Sequence, residues 1–454
     1  MSFDLAIIGG GPGGYTAAAA AARNGLSVVL FEKRQMGGTC LNRGCIPTKA
    51  LIHASEEWQA IQNAESLGIK VEQSSFDFSA MHQRKAQVVD TLRQGIEKLM
   101  KANKVTVVFG EARVPEKGVV MCNGETYEAK DIIVATGSEP ARIPIPGIDL
   151  PKVYTSDDLL EGDGKAFDSL IIIGGGVIGC EFASIYQALG CKVTIVEAAD
   201  RILPTLDKEI AQRLGMYFKK RGIAVNAKAM VKEIFETEEG IGVRYEDKNG
   251  ELVEVTAQGV LMSTGRRVNT EALFTGEYKP NFFRGAMEAD EVGDAGIGNL
   301  YVIGDAKAKN IQLAHVAEAQ AENVVAHIVG KPLPKDMNVI PSCVYTNPEI
   351  ASVGLNETQA KEAGYSVKCA KYLSGANGKC LIEEAESGYM KLVTDEETGV
   401  ILGAQLVYPR ATDIIAELAL AVQKKMKAED IAHIIHPHPT FVEGVMEMAA
   451  SILE

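Results

Sequence analysis

The chain contains one sequence pattern twice, and this repeat restricts the possible folds more than any other feature. The segments LAIIGGGPGG and LIIIGGGVIG begin at residues 5 and 170. Each is a short apolar run followed by Gly-x-Gly-x-x-Gly, a helix-like run and a second apolar run that ends in an acid. The acid lies 23 positions after the first glycine in both copies, because Gly9 precedes Glu32 and Gly174 precedes Glu197. The repeat predicts two strand–helix–strand units.

Each unit has the features of a dinucleotide-binding site. The first glycine permits a tight turn, the second lets a pyrophosphate approach the backbone, and the third lets helix and strand pack closely. The helix N-terminus offers free N–H groups to phosphates, and the acid accepts hydrogen bonds from ribose hydroxyls. In the two copies the glycines are Gly9, Gly11 and Gly14, and Gly174, Gly176 and Gly179.

The two sites are expected to bind different dinucleotides. A carboxylate at Glu197 would repel the 2′-phosphate of NADP, so the second unit favours NAD. A flavin in the first unit is favoured by two more apolar runs that end in small or acidic residues, IIVATGS at 132–138 and LYVIGDA at 300–306. Asp305 could bind a ribitol hydroxyl, although taken alone it has a second reading as a turn or cap residue.

Composition narrows the class of protein and of partner. A chain of 454 residues predicts two to four domains. The net charge is −14 and no basic run reaches five residues, which argues against a nucleic-acid partner. No apolar run approaches the 18 residues that span a bilayer, and MSFDLAIIGG lacks the basic region of a signal peptide. We therefore expect a soluble, cytoplasmic protein with mostly free cysteines.

Two of the eight cysteines, Cys40 and Cys45, form a close pair in GGTCLNRGCIPTKA. A metal site would need a second pair of ligands, and no second cysteine pair exists. In a straight helix, Cα atoms five residues apart lie about 8–9 Å apart, too far for a disulfide, so a bond requires a distorted turn near Gly44. A short-span disulfide gives little stability, which fits a redox couple better than a structural staple. Cys40 precedes a helical run, whose N-terminus would lower the pKa of a nearby thiol.

Together these features resemble the pyridine nucleotide–disulfide oxidoreductases. The segment GGTCLNRGCIPTKAL looks like the redox-disulfide signature of that family, and HPHPTFVE at 436–443 looks like its catalytic His–Glu segment. The segments at 341–355 and 403–422 look like its dimerisation domain. The resemblance covers essentially the whole chain.

The resemblance implies roles for four catalytic residues. Cys40 would be the thiol that meets the substrate, and Cys45 the thiol that faces the flavin. His438 would be the acid–base and Glu443 would orient it. In this family the His–Glu pair reaches the disulfide of the other subunit, so a homodimer is implied. Three other histidines compete for this role: His436 has a structural reading, His433 is a helix-end candidate, and His315 lies in the helix-like run LAHVAEAQAENVV.

The resemblance also implies the cofactor-binding residues. FAD would be held by Gly9, Gly11, Gly14, Glu32, Lys49, Thr136, Gly137, Ser138, Asp305 and Ala314. NAD would be held by Gly174, Gly176, Val177, Ile178, Gly179, Glu181, Glu197 and Gly265. Further implied cofactor-binding residues are Thr39, Ala112, Leu313, His315 and Val231. Lys49 and Glu181 would form an ion pair near the flavin and nicotinamide, and no metal is expected.

The implied fold class is α/β, with two Rossmann-like domains for FAD and NAD and a C-terminal α+β dimerisation domain. The expected boundaries are 1–143 for the first part of the FAD domain, 144–266 for the NAD domain, 267–335 for the second part of the FAD domain and 338–454 for the dimerisation domain.

The implied activity is oxidation of a dihydrolipoyl dithiol with reduction of NAD. The lipoyl group would be carried by a carrier protein or lipoyl domain of a multienzyme complex, on a separate chain. The alternatives are another NAD(P)H-dependent disulfide or small-molecule reductase of the family, and a non-catalytic flavin-bound sensor. Two residues depart from the family pattern: Arg43 stands where many members have Val, and Pro437 where Ala is frequent. They leave the pH optimum and redox poise open.

Overall fold

The computed structural model describes all residues from 1 to 454. The N-terminal part begins with the first glycine-loop unit. Its elements, in chain order, are β1 (Ser2–Ile8), α1 (Pro12–Arg23), β2 (Val28–Glu32), α2 (Gly38–Arg43), α3 (Cys45–Gln62), α4 (Phe78–Ala102), β3 (Thr106–Phe109), β4 (Arg113–Glu116), β5 (Val119–Cys122), β6 (Glu125–Val134) and β7 (Ser138–Pro140).

The second glycine-loop unit follows as a separate sheet with its own helices. Its elements are β8 (Val153–Thr155), α5 (Ser156–Leu160), β9 (Ser169–Ile173), α6 (Val177–Ala188), β10 (Lys192–Glu197), α7 (Lys208–Lys220), β11 (Ala224–Ala227), β12 (Met230–Glu236), β13 (Ile241–Glu246), β14 (Leu252–Ala257), β15 (Gly259–Met262) and β16 (Arg266–Val268).

The chain then returns to the first sheet before it forms the C-terminal unit. The returning elements are β17 (Phe282–Phe283), β18 (Ala286–Met287), β19 (Leu300–Val302) and α8 (Ala314–Ile328). The C-terminal elements are β20 (Ser342–Val344), β21 (Ile350–Gly354), α9 (Glu357–Glu362), β22 (Val367–Leu373), α10 (Gly378–Ile382), β23 (Tyr389–Asp395), β24 (Ile401–Val407), α11 (Ala411–Gln423), α12 (Ala428–Ala432) and α13 (Glu443–Ser451).

The two glycine-loop units have the same sheet topology. The first contains the parallel order β3-β2-β1-β6, with β19 added beside β6, and the second contains β11-β10-β9-β15. In each sheet the strand order reverses beside the strand that carries the glycine loop, between β1 and β6 and between β9 and β15. Open parallel sheets bind ligands at the carboxyl ends of the strands at such a reversal. The topology therefore places both glycine loops at binding crevices.

Burial explains why these runs form central strands. Leu5, Ala6 and Ile7 of β1 and Leu170 and Ile172 of β9 have at most trace exposure. A parallel strand covered on both faces needs such a continuous apolar run. Helix α1 begins with proline in its first turn and packs a row of buried alanines, which is compatible with close helix–sheet packing.

The C-terminal unit is built differently, on the antiparallel sheet β20-β21-β24-β23-β22. Helices α11 and α13 cover this sheet with a shared core that includes Leu406, Leu418 and Met448, all fully buried. Two parallel α/β units and one antiparallel α+β unit are the fold class that the sequence predicts, and this prediction is confirmed.

The chain leaves and re-enters the first unit at one place. Strand β7, just after the first sheet, pairs antiparallel with β16, just after the second. The predicted boundaries at residues 143 and 266 lie close to this two-stranded ribbon, and they stay predictions. No helix in the structure has both the length and the apolar content that crossing a membrane would require.

Candidate active site and cofactor cavity

A cavity of about 1730 Å³ is lined by residues from all three units. Its wall includes both glycine loops, both residues of the cysteine pair and residues of the C-terminal unit such as Tyr345. Every cofactor-binding residue predicted from the sequence lines it, except Gly14 and Gly179. Those two glycines have another role, because a Cβ on either would collide with the carbonyl oxygen of the first glycine of its own loop. Their roles agree with the packing function of the third glycine.

The glycine loops leave room for dinucleotides where the sequence pattern expects it. Gly9 and Gly174 have φ angles of +110° and +107°, and a side chain on either would collide with the carbonyl oxygen of Ala135 or Ser263. By contrast, a Cβ on Gly176 would meet nothing within 4 Å. The second loop is therefore open at Gly176, whereas a Cβ on Gly11 of the first loop would make an ordinary contact with Gly38 Cα at 3.7 Å. Both loops line the cavity, where the sequence pattern expects a pyrophosphate group.

The two strand-end acids hold their glycine loops in the same way. Glu32 accepts hydrogen bonds from the N–H groups of Gly10, at 2.7 Å, and Arg34. Glu197 accepts them from Gly175, at 2.5 Å, and Ala199. Each carboxylate is thus fixed at the mouth of its loop and lines the cavity.

The cysteines form a disulfide across a break between two helices. Cys40 lies in α2, Cys45 is the first residue of α3, and their Cα atoms are 4.7 Å apart. Gly44 separates the helices, and a Cβ there would approach the backbone of Thr39 and Cys40 to 3.0–3.1 Å. The distorted turn expected at Gly44 is therefore present.

The structure corrects one expectation about the pair. The sequence placed Cys40 next to a helix N-terminus, but the 18-residue helix α3 begins at Cys45. Because a helix N-terminus carries partial positive charge, it favours the thiolate of Cys45. The physical reason is the backbone break at Gly44, which ends α2 at Arg43 and lets the long helix begin at Cys45.

An ion pair crosses the cavity wall between the two glycine-loop units. Lys49 Nζ on α3 lies 2.9 Å from both carboxylate oxygens of Glu181 on α6. Glu181 also accepts the backbone N–H of Tyr345 at 3.0 Å. The Lys49 ammonium lies 4.4 Å from the centre of the Tyr345 ring. The pair is the one that the resemblance implied, but Tyr345 was not predicted because it is distant in sequence.

A second set of hydrogen bonds links strand ends of the first glycine-loop unit to the end of the second unit. Ser138 Oγ donates to Asp305 Oδ2 at 2.5 Å, and Arg266 donates to Ser138 Oγ and to its carbonyl oxygen, both at 2.7 Å. Arg266 directly follows the predicted NAD residue Gly265. It was missed because nothing local in the sequence indicates that its side chain reaches a residue 128 positions away.

A third cysteine also lines the cavity. Burial raises the pKa of Cys343 to about 11, so at neutral pH it stays a protonated thiol. The chain offers no group of three or more His, Cys, Asp or Glu residues placed to hold a metal ion. The disulfide is the only bonded cysteine pair.

The His–Glu segment lies outside this cavity in the single chain. His438 Nδ1 is 2.7 Å from Glu443 Oε2, and the His438 side chain is 79% exposed whereas that of Glu443 is 8% exposed. Glu443 is the first residue of α13, and its other oxygen accepts the Thr440 N–H. A buried carboxylate therefore orients an imidazole whose Nε2 side is free to meet a group from outside the chain.

Two other histidines are engaged in structural contacts. His436 is paired with Glu417 at 3.1 Å, and its side chain is 5% exposed. His315 Nε2 lies 2.9 Å from the carbonyl oxygen of Pro341. Among the histidines near the C-terminus, His438 alone combines exposure with a carboxylate partner at hydrogen-bond distance.

Comparison with known proteins identifies the family. The family model described as pyridine nucleotide-disulphide oxidoreductase matches residues 3–321, and the model of its dimerisation domain matches residues 340–449. The chain belongs to the pyridine nucleotide-disulphide oxidoreductases. It is an oxidoreductase with the FAD and NAD cofactors expected from the sequence.

Individual relatives match over nearly the full length. The chain is 41% identical to dihydrolipoyl dehydrogenase of Geobacillus stearothermophilus over 453 residues, covering 98% of this chain and 94% of the relative. It is 38% identical to dihydrolipoyl dehydrogenase of Haloferax volcanii, covering 99% and 96%. Among solved structures, LpdA of Mycobacterium tuberculosis has a TM-score of 0.90 at 26% identity with 99% of both chains covered. The HOCl-induced flavoprotein disulfide reductase RclA of Escherichia coli has a TM-score of 0.88 at 27% identity, covering 98% and 99%.

Proposed function

We propose that the chain oxidises dihydrolipoyl groups and reduces NAD, as a dihydrolipoyl dehydrogenase. The observation that carries the proposal is the Cys40–Cys45 disulfide in the wall of a cavity that both glycine loops share. This arrangement lets a dithiol exchange with the disulfide at one end of an electron path that ends at a nicotinamide. The full-length similarity to enzymes of that name supports the choice of substrate.

The residues suggest a defined exchange reaction. A base removes the proton from one thiol of the dihydrolipoyl group, and the thiolate attacks the sulfur of Cys40. The Cys40–Cys45 bond breaks and Cys45 leaves as a thiolate, favoured by the N-terminus of α3. The second substrate thiol then attacks the mixed disulfide, lipoyl disulfide leaves, and Cys40 takes up one proton. The substrate loses two electrons and two protons; the cysteine pair gains the two electrons and one proton, and the base keeps the other proton.

His438 fits the role of the base. Glu443 holds it at Nδ1, which orients the ring, leaves Nε2 to exchange the proton and stabilises the imidazolium. Since His438 and Glu443 do not line the cavity of their own chain, the base would come from the second subunit of a homodimer. The match to the dimerisation-domain model supports that assembly.

The cofactors would occupy the two glycine-loop units. Glu32, Ser138 and Asp305 would hold FAD, and Glu197 with the second loop would hold NAD. When bound, FAD carries the electron pair from the cysteines to the nicotinamide and so restores the disulfide. The chain would work in the cytoplasm with a lipoyl carrier protein or a lipoyl domain of a multienzyme complex on another chain.

The test is NADH formation by the purified, FAD-loaded protein with dihydrolipoamide. We expect turnover with NAD, loss of turnover in Cys45→Ser, and retention in the matched control Cys369→Ser, which alters a half-buried cysteine on β22. Equal turnover in Cys45→Ser and the control would contradict the proposal.

A second candidate is reduction of another disulfide by NADH, favoured by the structural similarity to the reductase RclA. The two candidates differ in the reductant that the cysteines accept. A protein whose Cys40–Cys45 bond is reduced by NADH but not by dihydrolipoamide would support this second activity and overturn the first.

A further inference from the structure

We propose that Arg43 is a positioning residue that stabilises the Cys45 thiolate and so raises the reduction potential of the Cys40–Cys45 pair. The inference rests on the proposed function, since it assumes that the pair is redox-active. It concerns a side chain that the sequence comparison left without a role and that the exchange reaction above does not use.

The position of Arg43 places it beside the redox pair. It is the last residue of α2, and Gly44 alone separates it from Cys45 at the start of α3. Arg43 is 7% exposed and lines the same cavity as Cys40 and Cys45. The Arg43 guanidinium therefore lies next to the turn that carries the disulfide and is largely shielded from bulk water.

The charge of Arg43 is poorly compensated. Its nearest carboxylate is Glu161, at 3.6 Å between Nη1 and Oε1, and that side chain is 60% exposed. The guanidinium makes no hydrogen bond within the chain, and its Nε is buried without a partner. A buried charge normally requires partners and hydrogen bonds. A negative charge that forms nearby would therefore interact favourably with the Arg43 guanidinium.

The other cation near Cys45 does not offer this gain. Lys49 lies one helical turn after Cys45, but both oxygens of Glu181 are 2.9 Å from its ammonium, and Glu181 is 3% exposed. That pair is close to neutral as seen from the disulfide. Among these neighbouring side chains, Arg43 supplies the positive charge that remains, and it adds to the partial charge at the N-terminus of α3.

The consequence follows from the reduction reaction. The disulfide takes up two electrons and one proton to give the Cys40 thiol and the Cys45 thiolate. A nearby cation stabilises the thiolate product and not the neutral disulfide, so it shifts this equilibrium toward reduction. A tenfold shift in the equilibrium constant of a two-electron couple corresponds to about 30 mV. Arg43 would make the pair a better acceptor of electrons from a dithiol.

The experiment measures the pair directly rather than through turnover. The FAD-loaded protein is equilibrated in dithiothreitol buffers of graded redox ratio, free cysteines are alkylated, and the Cys40–Cys45 peptide is quantified by mass spectrometry. Arg43→Val removes the charge and Arg43→Lys keeps it. We expect Arg43→Val to need a roughly tenfold more reducing dithiothreitol ratio at its midpoint, a shift of about 30 mV, and Arg43→Lys to stay within about threefold of the parent protein.

Removal of the weak counter-charge gives an independent check that does not alter the redox turn. Glu161→Gln should shift the midpoint the opposite way, toward easier reduction, by a smaller factor. This variant keeps the proposal testable if Arg43→Val fails to fold in a thermal melt.

Several results would overturn the inference. A midpoint for Arg43→Val within twofold of the parent protein, equal shifts for Arg43→Val and Arg43→Lys, or a Glu161→Gln shift toward harder reduction would each do so. If the parent protein itself shows no reversible reduction of the pair, the proposed function fails and the inference fails with it. If the pair of the parent protein is reduced reversibly but Arg43→Val leaves the midpoint unchanged, only the inference about Arg43 fails and the proposed function stands.

Discussion

Lys49 Nζ lies 2.9 Å from both carboxylate oxygens of Glu181, although 132 positions separate the two residues. The pair joins α3, which begins at Cys45, to α6, which begins directly after Gly176 of the second glycine loop. One charge pair thus fixes the disulfide turn relative to the second glycine loop. Both residues line the shared cavity.

This geometry predicts strong coupling between the two residues. Glu181→Gln leaves the Lys49 charge without its buried carboxylate, and removing one partner of a buried pair costs about 3 kcal/mol, less here because Lys49 is 29% exposed. We expect a lower free energy of unfolding and at least tenfold slower NAD reduction. The double variant Lys49→Met/Glu181→Gln should be more stable than the sum of the single changes predicts. Additive losses in urea unfolding would show that the pair is not coupled.

The His–Glu segment predicts separate effects for two neighbouring histidines. His438→Gln should lower dithiol oxidation by about 10²–10⁴-fold, the usual contribution of a general acid–base. It should leave thermal stability almost unchanged, since the side chain is 79% exposed. His436→Gln, the matched control, should lower stability more than turnover because His436 is buried against Glu417. The reverse ranking of the two variants would assign the catalytic role to His436.

The fixed carboxylate of Glu197 predicts the choice of nicotinamide. Its oxygens are held by the Gly175 and Ala199 N–H groups, so the charge cannot swing away from a 2′-phosphate. We expect Glu197→Ser to raise the ratio of kcat/KM for NADP to kcat/KM for NAD by at least tenfold, which corresponds to about 1.4 kcal/mol. Asp200→Ser, an exposed acid nearby, is the control. A preference that Asp200→Ser changes as much as Glu197→Ser would place the selectivity elsewhere.

A buried pair outside the cavity predicts a pH dependence of stability. His82 is 1% exposed, and burial together with the Lys85 ammonium lowers its pKa to about 4. The unfolded imidazole has a pKa near 6.5. Between these values the unfolded chain binds more protons, so stability falls as the pH falls from about 6.5 to 4 and then levels off.

The size of this effect can be measured by urea unfolding over that pH range. The difference between the folded and unfolded pKa of His82 corresponds to a loss of about 3 kcal/mol in the free energy of unfolding. The variant His82→Gln cannot titrate there and should show a flatter profile. Equal slopes for the variant and the parent protein would exclude His82 as the cause.

The parts of the site that the sequence predicts are those encoded by local spacing. The glycines, the acids at Glu32 and Glu197 and the pair Cys40–Cys45 are each recognisable within about thirty residues, because one strand–helix–strand unit sets their geometry. Family resemblance adds His438 and Glu443, whose mutual contact the structure then places at 2.7 Å.

The parts of the site that the sequence does not predict depend on contacts between distant segments. Tyr345 reaches Glu181 from the C-terminal unit, Arg266 reaches Ser138 from the NAD-side ribbon, and Glu161 approaches Arg43 from α5. No local periodicity records such contacts. The helix start at Cys45 rather than near Cys40 was missed for a different reason, since it depends on how the backbone breaks at Gly44.

We expect electrons to pass from a lipoyl dithiol through Cys40–Cys45 to NAD. The first measurement is an anaerobic titration of the FAD-loaded protein with dihydrolipoamide, followed by NAD. At each step a sample is withdrawn and alkylated, and its free Cys40 and Cys45 thiols are counted. One equivalent of dithiol should open the Cys40–Cys45 bond, and NAD should close it again with matching formation of NADH. A bond that dihydrolipoamide leaves closed, while NADH opens it, would exclude this electron path.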